Sequence, residues 1–186
     1  MRYRLWVLIA TGLFVIGLGI GLIISAIMPE GVVELISGEL SALEELAALF
    51  TPFQATTAVF IFFKNASALV FSFIFSPILC LLPFLALTLN GLLISFISVL
   101  VAQEESIGLV LVGLLPHGIF EIPALIIGEA AALSFGAATI MALFSKTKKI
   151  SLLSNFKQNL KYMLIAFVLL IPAAIIETFI TPLFLQ

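Results

Sequence analysis

The chain has 186 residues, of which 63% are hydrophobic and only 10% are charged, and its mean hydropathy is +1.34. Because an ordinary soluble domain has about 25% charged residues, this composition excludes a soluble enzyme fold and indicates an integral membrane protein. The net charge of −2 and the single cysteine give no sign of a nucleic-acid partner and exclude an intrachain disulfide.

Five long apolar runs predict an all-α, polytopic transmembrane helix bundle that forms one domain over residues 1–186. An α-helix rises about 1.5 Å per residue, so about 20 apolar residues cross a hydrocarbon core of about 30 Å. Between the first two runs, apolar residues recur at three- and four-residue steps, which predicts an amphipathic helix outside the membrane over about 32–50. The predicted spans are about 5–28, 52–76, 78–102, 107–145 and 160–182.

The fourth segment is too long for one simple span. Its 39 residues would make about 58 Å of helix, nearly twice the hydrocarbon thickness. Pro116 and Pro123 each lack a backbone donor, and they flank His117 and Glu121. We therefore predict that His117 and Glu121 lie on a broken helix or on a re-entrant half-helix that precedes a full span.

The distribution of basic residues predicts the orientation, because Lys and Arg beside membrane spans are held on the cytoplasmic side. Seven of the eight basic residues share one side if the N-terminus is cytoplasmic and the C-terminus is outside. This predicts a multi-pass protein of the cell membrane. The seven residues are Arg2, Arg4, Lys146, Lys148, Lys149, Lys157 and Lys161.

Polar side chains within the predicted spans mark the candidate site. An ionisable group inside a membrane costs several kcal/mol unless it is paired or hydrated, so each indicates a function. Counting about 1.5 Å per residue from the ends of the spans places most of these groups near one mid-membrane level. Glu177, in the outer third of the last span, either joins this core or reaches the interface. The predicted polar core is Lys64, Asn65, Asn90, His117, Glu121 and Glu177.

Three interpretations of this core stay open. His117 and Glu121 lie four residues apart on one helix face and could bind a divalent metal ion, with Glu129 or Asn90 as a further ligand. A pair between Lys64 and Glu121, with His117 beside it, would make a proton relay or ion pathway. The third interpretation is a polar lock that fixes helix packing. In each case we expect Lys64 to lie near a carboxylate, Glu121 first and Glu129 second.

Two stripes of small residues indicate close helix packing. They are Gly17–Gly21 in the first span and Gly128–Ala132–Gly136 in the fourth, and we expect both to pack within the chain rather than between copies.

Patterns typical of hydrolases and metalloproteases, such as G-x-S-x-G and H-E-x-x-H, are absent from the sequence. We therefore predict no enzymatic activity.

Four motifs around the polar residues are together similar to one known family. The specific one is Pro116-His117-Gly118-Ile119-Phe120-Glu121-Ile122-Pro123-Ala124, and the weaker ones are Lys64-Asn65, Asn90-Gly91 and Glu177-Thr178-Phe179-Ile180-Thr181-Pro182. They resemble the stage II sporulation protein M family. The resemblance implies a polytopic protein that, in sporulating bacteria, acts as a scaffold with a cell-wall hydrolase at the septal membrane. It also implies that Asn65, Asn90, His117 and Glu121 form the family's polar core, with Glu177 attached less firmly.

Members of this family also occur in archaea that lack peptidoglycan, so the sporulation role need not extend to this chain. We predict a scaffold or interaction protein in the lipid bilayer, with partner membrane proteins or further copies of itself. The alternative is a transporter or channel for an ion, a metal or a small molecule. A transporter should have an aqueous cavity that reaches His117 and Glu121, whereas packing should seal these residues in a scaffold.

Overall fold

The computed structural model describes residues 3–27, 51–144 and 151–184, and these ranges contain helices and short turns with no strand. Five of the helices are long and apolar enough to cross a membrane, which confirms the predicted all-α bundle of about five spans. The predicted outer helix over 32–50 lies outside the described residues. The helices are α1 (Tyr3–Ile27), α2 (Ala55–Phe75), α3 (Leu81–Glu104), α4 (Ile107–Phe144), α5 (Leu152–Phe179) and the short α6 (Thr181–Phe184).

Helix α4 is continuous over 38 residues, with Pro116 and Pro123 inside it. The predicted break or re-entrant half-helix is therefore wrong. Each proline removes one backbone donor, so the helix loses two of its backbone hydrogen bonds. The remaining backbone hydrogen bonds of this long helix continue on both sides of the prolines. Neighbouring helices accompany the long helix at both ends. Its first turns line a groove together with the end of α3, and Phe135 near its other end contacts Phe156 of α5.

Helices α1 and α3 pack closely through glycine. Gly17 lies against the backbone of Thr88, and Gly21 lies against the backbone of Leu92. A Cβ atom at either glycine would overlap a carbonyl oxygen of α3, so the approach requires the absence of a side chain. A step of four residues along α1, from Gly17 to Gly21, corresponds to a step of four residues along α3, from Thr88 to Leu92. Helices α1 and α3 therefore run in the same direction. The prediction that Gly17 and Gly21 pack within the chain is confirmed.

The second stripe of small residues packs α4 against α2 and the turn that follows it. Gly128 lies against the side chain of Leu69, and Gly136 lies against the carbonyl oxygen of Ser76 and the Sγ of Cys80. Helices α2 and α4 therefore run in the same direction, and this stripe too packs within the chain. Cys80 has a φ of 54° at the start of α3, where the chain reverses direction.

Helix α4 lies at the centre of the bundle because its small residues are buried on more than one side. Ala130, Ala131 and Ala132 have no exposed surface. Ala131 and Ala132 belong to an apolar cluster with α2 and α5, whereas Ala130 belongs to a second cluster with α1 and α3. Small side chains allow several backbones to approach one helix at once. Every neighbour of α4 can therefore bring polar side chains to it.

Helix α5 begins eight residues before the predicted apolar run, whereas the bounds of α1 to α4 agree with their predicted spans to within three residues. The hydroxyl of Ser151 caps the start of α5 by accepting a hydrogen bond from the Ser154 amide at 3.4 Å. The eight residues that begin the helix, 152–159, include Ser154, Asn155, Lys157, Gln158 and Asn159, so they extend the helix without extending the apolar run. After Phe179 the chain turns into α6, whose first residue, Thr181, is buried.

Candidate functional site

Three potential metal ligands converge between α4 and the C-terminal end of α5. His117, Glu121 and Glu177 each place one ligand atom within 4.8 Å of the ligand atoms of the other two. His117 and Glu121 lie one helical turn apart on the same face of α4, and the antiparallel α5 brings Glu177 opposite them. We call these three residues the His-Glu-Glu cluster.

Two polar neighbours orient the His-Glu-Glu cluster. The Nδ1 atom of His117 lies 3.5 Å from the hydroxyl of Thr181. The side-chain amide of Asn65 donates a hydrogen bond to Oε1 of Glu121 at 3.1 Å. The remaining atoms, Nε2 of His117 and Oε2 of Glu121, face each other across 3.9 Å. Asn65 and Glu121, which were both assigned to the predicted polar core, are therefore in direct contact.

A small cavity with polar and apolar walls adjoins Glu121. It has a volume of about 60 Å³, which is enough for a few water molecules. Asn90 lines it too, although its amide nitrogen donates to the carbonyl of Ala86 in its own helix, at 2.7 Å. The side chains of His117 and Glu121 are 14% and 32% exposed. The lining residues are Asn65, Ala68, Leu69, Asn90, Glu121, Leu125 and Leu170.

Lys64 does not pair with Glu121. Its side chain is exposed, and it forms no ion pair with any carboxylate in the described part of the chain. Adjacent residues point about 100° apart on a helix, so Lys64 turns away when Asn65 faces Glu121. The Lys64 ammonium acts electrostatically on Glu177. The predicted order of partners, Glu121 and then Glu129, is therefore wrong.

Glu129 lies apart from the His-Glu-Glu cluster. It is 1% exposed, and its Oε2 accepts a hydrogen bond from the hydroxyl of Ser72 in α2. Eight residues separate it from Glu121, which corresponds to about 12 Å along the helix axis. Glu177 therefore occupies the position that the sequence-based hypothesis gave to Glu129 as the third ligand, and Glu129 belongs to a separate contact between α2 and α4.

Two further polar contacts were not predicted from the sequence. The hydroxyl of Tyr3 donates to the carbonyl of Ile127 at 2.7 Å, and its ring stacks on Tyr162, so this residue joins α1 to both α4 and α5. The hydroxyl of Thr181 lies beside Nδ1 of His117. The only feature of the sequence that pointed to Thr181 was its position in the same motif as Glu177. Polar residues close to a span end are the places where such contacts could have been sought.

The comparisons with known proteins identify a family for the chain. A family model described as Stage II sporulation protein M matches residues 10–182. An uncharacterized protein of Methanocaldococcus jannaschii is 37% identical over 92 residues, which make up 50% of this chain and 50% of that protein. The aligned region thus spans half the length of this relative, and no solved structure matches the chain. The family match covers most of the first span, the other four spans and the entire His-Glu-Glu cluster. The chain is therefore a multi-pass membrane protein that belongs to the Stage II sporulation protein M family.

Proposed function

We propose that this protein is an integral membrane scaffold that holds partner membrane proteins, or further copies of itself, in the cell membrane. The observation that supports this role is that, within the described ranges, the side-chain polar contacts between different helices all have α4 as one partner. Such contacts fix the relative positions of helices. The contacts are Asn65 with Glu121, Ser72 with Glu129, His117 with Thr181, and Tyr3 with the carbonyl of Ile127.

The size of the cavity beside Glu121 also favours a scaffold. A volume of about 60 Å³ has room for a few water molecules and not for a wide aqueous passage. Beside it, the Asn65 amide donates to Oε1 of Glu121, and the Asn90 amide donates to the carbonyl of Ala86 in its own helix. No catalytic reaction forms part of this proposal.

The proposed orientation places the N-terminus in the cytoplasm and the C-terminus outside. The basic residues support this choice of sides, and the alternating direction of the five long helices supports termini on opposite sides. In this orientation the cluster lies toward the outer side, because Glu177 is two residues from the end of α5.

A second candidate function is transport, and one observation favours it. A largely apolar groove of about 390 Å³ lies between α3 and α4, and Asn90 lines both this groove and the small cavity beside Glu121. A small solute could pass along the groove from the outer ends of these helices to Asn90. This function would require the small cavity to open further.

Photo-crosslinking in cells tests the scaffold. A photoreactive amino acid replaces Phe63, Ile119 or Val168, which are each 64% exposed on three different helices, and buried Ala131 serves as the matched control. A scaffold should give a protein adduct of fixed mass from one helix face and none from the control position. Mass spectrometry of that adduct then distinguishes a second copy of this chain from another protein. Adducts with lipid alone from all three positions would contradict the scaffold.

Proteoliposomes test the transport alternative. We expect wild-type protein to give no more flux of protons, K⁺ or Zn²⁺ than empty vesicles. Flux that disappears in Glu121→Gln and persists in Glu129→Gln would replace the scaffold with a transport function, because Glu129 lies outside the route.

A further inference from the structure

We propose that His117, Glu121 and Glu177 bind one divalent first-row transition metal ion, which ties the end of α5 to α4. The proposal goes beyond the scaffold function and does not depend on it. It rests on three side chains of metal-binding type whose ligand atoms lie within 4.8 Å of one another. Two come from one helix face and the third comes from the opposing helix, so an ion between them would link two spans.

The spacing fits ligands around a shared ion better than it fits a direct bond. The distance of 3.9 Å between Nε2 of His117 and Oε2 of Glu121 is too long for a hydrogen bond. Ligand atoms about 2.0–2.1 Å from a tetrahedral Zn²⁺ lie about 3.3 Å apart. A contraction of about half an ångström would therefore bring the two atoms to the geometry that a bound ion requires.

Each of the two ligands on α4 has an outer partner that leaves the metal-facing atom available. Thr181 lies against Nδ1 of His117, so Nε2 points into the cluster. Asn65 donates to Oε1 of Glu121, so Oε2 points into the cluster. Metal-binding histidines and carboxylates in proteins are held in this way by hydrogen bonds on their far side.

The charges in the cluster also call for a cation. Two carboxylates converge beside a single imidazole, and Lys64 forms no ion pair with either carboxylate in the described ranges. A divalent ion would balance two ionised carboxylates at the point where they meet. Lys64, which acts electrostatically on Glu177, would then repel the bound ion and weaken its binding.

The types of ligand define the class of ion. An imidazole suits Zn²⁺, Fe²⁺ and similar ions and disfavours Mg²⁺ and Ca²⁺, which prefer sites made entirely of oxygen ligands. No thiolate is near, because the single cysteine, Cys80, lies at the turn between α2 and α3. Three protein ligands leave a coordination position for water. Zn²⁺ is therefore the first probe, and Mg²⁺ is the matched negative control.

The test measures Zn²⁺ binding to the full chain in detergent, after removal of metal with a chelator and removal of any purification tag. His117 is the only histidine in the chain, so its loss removes the only imidazole. We expect saturable binding of one Zn²⁺ per chain and a rise in Tm with Zn²⁺ but not with Mg²⁺. His117→Ala, Glu121→Gln and Glu177→Gln should each weaken binding at least tenfold, whereas Glu129→Gln should change it less than twofold.

Variants of the outer partners decide the question if a ligand variant fails to fold. Asn65→Ala and Thr181→Val should weaken Zn²⁺ binding by about 10- to 100-fold without removing a ligand, and Lys64→Met should strengthen it several-fold. Absence of saturable binding to wild type would overturn the proposal. Equal affinity in wild type and in the ligand and outer-partner variants would also overturn it, because the ion would then bind elsewhere.

Discussion

Replacing Gly17 by alanine should separate α1 from α3. A Cβ at this position would overlap the carbonyl oxygen of Thr88 and lie 2.9 Å from its carbonyl carbon and 3.0 Å from its Cα. These are backbone atoms, so no side-chain rotation relieves the overlap. Gly19, two residues further along α1, has no atom within 4 Å of the equivalent Cβ position. Gly19→Ala is therefore a matched control in the same helix.

The expected magnitude follows from the distance by which the helices must separate. Carbon atoms pack at about 3.5–4.0 Å, so α3 must move away by about 1 Å. A gap of that size forfeits about a quarter to a half of the dispersion energy of the surrounding contacts, and overpacking of this kind costs about 1–3 kcal/mol. Alanine also favours a helix over glycine by up to about 1 kcal/mol. Because this gain is common to both variants, their difference in unfolding free energy should be about 1–3 kcal/mol.

Thermal unfolding in detergent measures this difference. For a chain of this length, about 1 kcal/mol corresponds to about 2–4 °C in Tm, so Gly17→Ala should melt at least about 2 °C below Gly19→Ala. Gly91→Ala should behave like Gly17→Ala because its Cβ would overlap the backbone of Phe14. The double variant should lose less than the two separate effects combined, since one displacement relieves both overlaps. Equal Tm values for the Gly17 and Gly19 variants would refute the reasoning.

The same reasoning ranks the two glycines of the second stripe. A Cβ at Gly128 would lie 2.8 Å from the end of the Leu69 side chain, which can rotate, whereas a Cβ at Gly136 would overlap the carbonyl oxygen of Ser76. Gly136→Ala should therefore destabilise the protein more than Gly128→Ala. The reverse order in unfolding experiments would show that the turn after α2 yields more readily than the Leu69 side chain.

Two further predictions concern the polar core and the topology. A double-mutant cycle of Asn65→Leu and Glu121→Met should give a coupling of about 0.5–1.7 kcal/mol, the range for hydrogen bonds between membrane helices, while Lys64→Met and Glu121→Met should add to within about 0.5 kcal/mol. Coupling in the second cycle alone would restore the ion pair predicted from the sequence. Single cysteines at Ser41 and Ser151, in a chain lacking the native cysteine, should be labelled by an impermeant thiol reagent from outside and inside respectively. Labelling of both from one side would rule out the proposed orientation.

The five spans could be predicted because an apolar run of sufficient length has few stable states other than a membrane helix. The error at α4 arose from treating the hydrocarbon thickness as a limit on helix length. That thickness limits the apolar part of an isolated helix, whereas α4 continues beside the end of α3 at one end and beside α5 at the other. Because a single helix was considered too long for the membrane, Pro116 and Pro123 were interpreted as breaks in it. A proline, however, removes only one backbone hydrogen bond from a helix.

The polar core was predicted in part. Position along a span assigned Asn65 and Glu121 to one level of the membrane, because both depths could be counted from the ends of their helices, and the two side chains are in contact. The side of the helix on which a side chain lies could not be obtained by counting residues from the end of the span. Lys64 was therefore assigned to Glu121 on depth alone, although only one of two adjacent residues can face the same neighbour.

The choice between Glu129 and Glu177 as the third member of the cluster depended on register. Glu129 was closer in sequence, but eight residues along one helix carry it about 12 Å away from Glu121. In the antiparallel arrangement of α4 and α5, a step of four residues forward from His117 to Glu121 is matched by a step of four residues back from Thr181 to Glu177. This register depends on how the chain connects α4 to α5, which side-chain periodicity does not determine. One contact between the helices, such as that of His117 with Thr181, is enough to fix it. The motif at the end of α5 and the motif in α4, which are separate in the sequence, therefore form a single site.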